Sequence, residues 1–155
     1  FFGDAANYAI GLFVLARTLR WRATAALIKG ATMAVFGVWI LGMASYKAFV
    51  LGAPSAMVMG TVGILAMFAN IVCAAILYRF RDGESNRRSV WICSRNDALG
   101  NVAVVLAASG VFVTGTAWPD LFVGVVMAVL ALAGARQIIA QARAELGTVT
   151  AAVTP

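Results

Sequence analysis

Cys93 and Asp97 stand four residues apart within the apolar run Ser89 to Val113. Four residues make about one helical turn, so both side chains project from one face. A carboxylate inside a membrane helix is costly, and such residues face a cavity, a partner or a bound ion. A thiol beside a carboxylate is a potential pair of metal ligands. Asn101 extends the stripe to i, i+4, i+8. Arg88 marks the polar edge of the run, and nine residues further is about 14 Å, close to the middle of a core about 30 Å thick. Two plainer readings stand beside the metal one. Asp97 and Asn101 could glue helices by hydrogen bonds, and Cys93 could be a small packing residue. Arg95 lies about 200° around the helix from Cys93, off the stripe, where it either snorkels toward water or pairs with another helix.

A second acid, Asp4, lies in Gly3-Asp4-Ala5-Ala6-Asn7-Tyr8. Asn7 and Tyr8 follow at i+3 and i+4 and give that helix one polar stripe. Arg17 is thirteen residues away, about 20 Å, which puts Asp4 past the middle of the core but still inside it. The alternative is an acid at a helix end near the surface. Cys73 reads as packing. Lys29 and Lys47 read as snorkelling lysines that reach opposite surfaces. Glycines such as Gly60, Gly63 and Gly110 read as close helix packing.

The elements that must position these residues are helices. Of 155 residues, 63% are hydrophobic and only 12% charged, against about 25% charged in soluble domains. The mean hydropathy is +0.92. The apolar runs are long and continuous rather than alternating, so the fold class is all-α, a multi-pass transmembrane helical bundle. Five spans are expected, at about 1–16, 23–51, 55–78, 89–114 and 118–135, within a transmembrane domain at 1–146. A short, polar cytoplasmic tail follows at 147–155. The first span is short, and the chain opens on Phe1 in mid-helix with no signal-peptide features. The expectation is a fragment whose beginning lies upstream.

Arg17, Arg20 and Arg22 follow the first span; Arg79, Arg81, Arg87 and Arg88 follow the third; Arg136 and Arg143 follow the fifth. The loops around Pro54 and Pro119 carry no Lys or Arg. The positive-inside rule makes the basic loops cytoplasmic. The net charge of +6 is therefore a topology signal, and no nucleic-acid partner is expected. Trp91, Trp118 and Tyr78 suit an interfacial aromatic belt. Two thiols buried in different spans argue against a disulfide. The chain has no histidine, hence no imidazole base, and it has no serine-nucleophile motif or phosphate loop. An enzyme is not expected.

With these residues in view, the chain resembles the cation diffusion facilitator family of divalent-metal/proton antiporters. Asp97-Ala98-Leu99-Gly100 matches that family's fifth-helix signature, and Cys93 occupies the ligand position usually held by His or Asp. Asp4, in Gly-Asp-Ala-Ala-Asn, matches the second of two ligands on the family's second helix. The first would fall one residue before Phe1. Trp118-Pro119-Asp120 also looks like the family's lead-in to its last helix. The resemblance implies that the five spans are helices two to six of six. It further implies that the first helix and the family's cytoplasmic metal-binding domain are absent from this chain. The absence of histidine and the cysteine on the fifth helix depart from the family's usual pattern.

The implied function is efflux of a divalent heavy-metal cation (Zn, Cd, Co or Ni) by metal/proton antiport, with no resident cofactor. Asp4, Cys93 and Asp97 would bind the metal, and Asn7 and Asn101 would hydrogen-bond those ligands from behind. The implied setting is the cytoplasmic membrane of a bacterium, with the lipid bilayer, protons and a second copy of the chain as partners. The competing reading is a membrane transporter of a non-metal solute, or a structural membrane protein that binds no metal.

Overall fold

The structure, a computed structural model, describes the backbone of residues 2–51 and 56–151; side chains at 2–4, 48, 51, 56, 58 and 59 lie outside the described set. Five helices follow one another: α1 (Phe2–Leu15), α2 (Leu19–Tyr46), α3 (Ala56–Leu77), α4 (Ser85–Thr114) and α5 (Trp118–Ala151). No strand occurs among the described residues. Four of the helices are long and apolar enough to cross a membrane, and α1 is a shorter apolar helix. The all-α multi-pass bundle expected from the sequence is therefore what forms.

The helices end where the chain chemistry requires. Gly115 closes α4 in a left-handed conformation (φ 63°) and donates its N–H to Val111 O at 2.8 Å, the glycine C-cap that L side chains resist. Pro119 then sits in the first turn of α5, where its missing N–H costs no helical hydrogen bond. At the other end of α4, Glu84 caps the helix by accepting from Asn86 N at 3.0 Å. Ser85 donates its backbone N–H to Glu145 of α5 at 2.7 Å, and its hydroxyl donates to the same carboxylate. Two carboxylates thus face the exposed N–H groups and positive dipole end of α4. The loop around Pro54 lies outside the described residues.

α5 runs well past Ala135, where the apolar span is expected to end, and on through Gly147 to Ala151. Charged and amide residues enter there, but Ala, Arg, Gln, Glu and Leu keep helix propensity high through most of 136–146, where Ile138 still packs in the core. The extension supplies Glu145 and also Gln141, which donates to Gly83 O at 3.2 Å and accepts from Arg88 at 3.3 Å.

α4 is the hub. It packs on α1, α2, α3 and α5, whereas α3 touches no other long helix among the described residues. α2 and α5 form the most extensive pair, joined by small residues such as Ala26, Ala135 and Ala142 around Ile92 and Ile138. Small side chains let backbones approach where lipid gives no hydrophobic drive for association. The large apolar side chains point outward instead; Phe112 is 83% exposed and Phe68 70%, as a lipid-facing surface requires. Aromatic pairs mark both ends, Phe49–Trp118 at one and Tyr78–Trp91 at the other. The latter belongs to the basic end, where Arg81 lies over Tyr78 and Arg95 over Trp91.

Lys29 departs from expectation. Instead of snorkelling to the surface it is buried at 8% exposure, and its Nζ donates to Asn86 Oδ1 at 2.9 Å. Asn86 Nδ2 in turn donates to Gly11 O at 3.1 Å. The amine does reach toward the basic end, but through the bundle, because a partner 57 residues away is closer than water. This relay ties α1, α2 and α4 together. Asn86→Ala is expected to destabilise the fold by about 2–3 kcal/mol, since it strands a buried amino group. Lys29→Met, which removes the group that needs a partner, should cost clearly less. Thermal unfolding in detergent checks the ranking, and the reverse order would refute the relay.

Candidate metal site

Cys93 and Asp97 both lie on α4, one turn apart and half-buried. The Asp97-Ala98-Leu99-Gly100 segment has a structural reason for its glycine. A Cβ at position 100 would collide with the thioether of Met127 on α5, so Gly100 sets the distance between the two helices just beyond the acid. Gly134 does the same one helix over. A Cβ there would stand 2.8 Å from Ile92, 2.9 Å from Met33 and 3.2 Å from Asn96.

Asn96, between the two candidate ligands, is buried and donates to Leu130 O of α5 at 2.9 Å. Its Oδ1 accepts from Arg95 at 2.9 Å. Arg95 therefore folds back along its own helix, toward Asn96 and the Trp91 ring. The helix glue considered for Asp97 and Asn101 is supplied, for the α4–α5 seam, by Asn96. Asn96 lies off the i, i+4, i+8 stripe that singled out Asn101, so reading that stripe passed it over.

α1 meets α4 through Tyr8, whose hydroxyl shares a hydrogen bond with Ser94 Oγ at 2.5 Å. Gly11 lies against Val90, where an added Cβ would be 3.1 Å from the valine methyl. These two contacts fix an antiparallel register in which position 4 of α1 falls at the level of Asp97. The side chain of Asp4 lies outside the described residues. Among the described residues no group of three His, Cys, Asp or Glu side chains forms a metal cluster.

Asn7, next to Tyr8, carries a buried side-chain oxygen with no hydrogen-bond partner among the described residues. A buried carbonyl oxygen without a donor is rare and is often explained by a water or an ion. Asn101 is half-buried on the Asp97 stripe. Cys93 Sγ lies 4.0 Å from Met33 Sδ of α2. Met33 Sδ there accepts from the Cys93 thiol, a contact that reading the sequence alone passes over, since a methionine in an apolar helix looks like any other.

Cys73 lines a cavity of about 340 Å³ between α1, α3 and α4, together with Tyr8, Asn86 and Arg87. Its walls are almost wholly apolar and its charged residue is a cation, which makes it a poor site for a metal ion.

Residues 18–146 match the family model of the cation efflux transmembrane domain. No curated protein matches the chain. The matched segment holds α2 to α5 almost entire, with Cys93 and Asp97 inside it. On that match the chain belongs to the cation diffusion facilitator family and is an integral membrane protein of cation transport.

Proposed function

We propose that this chain exports a divalent heavy-metal cation of the zinc, cadmium and cobalt class in exchange for protons. Cys93 and Asp97 on α4 and Asp4 on α1 would bind the cation, with the basic end of the bundle in the cytoplasm. The observation that carries the reading is the Tyr8–Ser94 hydrogen bond. It supports the reading by setting α1 antiparallel to α4, a register on which the acid of α1 would share a level with the thiol–acid pair. The buried, unpartnered oxygen of Asn7 supports it, since that oxygen stands one turn from Asp4 and would orient the ligands or face the ion.

The chemistry follows from the donor set. A thiolate with carboxylates suits a borderline or soft divalent ion in roughly tetrahedral geometry. Each donor must lose its proton to bind metal, so cation and protons compete for the same atoms. Exchange needs only that this competition be run alternately from the two sides. Arg95 does not oppose it, because its guanidinium is turned to Asn96 and Trp91. A second copy of the chain is the partner proposed for assembly.

Asp97→Ala in the full-length protein, reconstituted in proteoliposomes, is expected to lower metal uptake at least tenfold, within the 10–100-fold range typical for lost metal-site support. Undiminished uptake would remove Asp97 from the site. Cys93→His and Cys93→Asp should retain transport but reorder the preferred metals, the Asp variant toward harder ions. If competition assays give the same metal ranking for wild type and both variants, Cys93 is only a packing residue.

A further inference from the structure

Met33 is on α2, a helix that carries none of the ligands proposed above. Its sulfur faces the Cys93 sulfur at 4.0 Å. Its methyl end turns the other way, to the space left by Gly134. Two sulfur donors bound about 2.3 Å from one tetrahedral ion stand about 3.8 Å apart. The observed thiol–thioether contact, at 4.0 Å, is close enough that both sulfurs could reach one ion.

Packing alone accounts for less of this. Met33 does touch the cluster around Ala26, Ile92 and Ile138, and methionine is a good filler of irregular gaps. Filling a gap asks for volume, which leucine supplies as well. It does not ask that the polarizable atom point at the thiol while the methyl occupies a slot kept open by a missing Cβ.

We propose that Met33 is a specificity-determining residue, a thioether donor from α2 that biases the site toward soft, thiophilic cations. The inference rests on Cys93 and Asp97 being ligands. A thioether has no proton to lose and carries no charge. It therefore changes which ion is preferred without changing how many protons are released on binding, which separates it from every other donor in the set.

The test is metal binding to the purified full-length protein, with cadmium and zinc as probes. X-ray absorption at cadmium should count two sulfur neighbours in the wild type. Met33→Leu should leave one, lower the cadmium-to-zinc affinity ratio about tenfold, and leave proton release per ion unchanged. Met33→Cys should restore the ratio. Met43→Leu, a half-exposed methionine on the same helix, should match the wild type. A single sulfur neighbour in the wild type overturns the proposal without reliance on any variant, and so does an unchanged ratio in Met33→Leu. If Asp97→Ala still abolishes binding in that case, the site stands and only Met33 is lost. If Asp97→Ala binds metal as the wild type does, both fall.

Discussion

Hydrocarbon offers a polar group no hydrogen-bond partner, and this protein is organised by that absence. Most buried polar side chains find a partner on another helix or on their own backbone, the Asn7 oxygen being an exception. Most of them sit on α4: Ser85 and Asn86 in its first turn, Ser94 and Asn96 further along, all with little or no exposure. Their partners are Glu145, Lys29, Gly11, Tyr8 and Leu130, which belong to α5, α2 and α1. The helix that holds the thiol–acid pair is thus also the helix to which the others are fastened. A polar seam of this kind gives registry more than raw stability. Small residues let helices touch anywhere along a smooth seam, whereas Tyr8–Ser94 and Asn86–Gly11 allow one alignment.

Much of this was legible in the sequence because membranes simplify the code. Long apolar runs with arginines at alternate ends gave the helices and their order, since nothing but a helix satisfies its own backbone in lipid. Cys93 and Asp97 were legible because an acid in such a run is out of place and four residues is one turn. The Asp-Ala-Leu-Gly segment added the family, and the fold then explained its glycine through Met127.

What was not legible depended on distant partners or on neutral chemistry. Lys29 looks like a snorkelling lysine, and only the approach of α4 turns its amine inward to Asn86. The apolar span at about 118–135 marks only part of α5, because hydropathy measures solvent preference while helix continuation depends on backbone propensity. Asn96 lies off the stripe that drew notice to Asn101, and only the approach of Leu130 on α5 makes it the bridging amide. Met33 carries no charge and breaks no pattern, so only the position of its sulfur separates it from a packing residue.

The extension of α5 has a mechanical consequence. Its Gln141 and Glu145 grip the first turn of α4, two turns before Cys93. The end of α5 therefore holds the root of the helix that carries Cys93 and Asp97. The part of α5 beyond its apolar stretch is thus a fastening for α4 rather than a free tail.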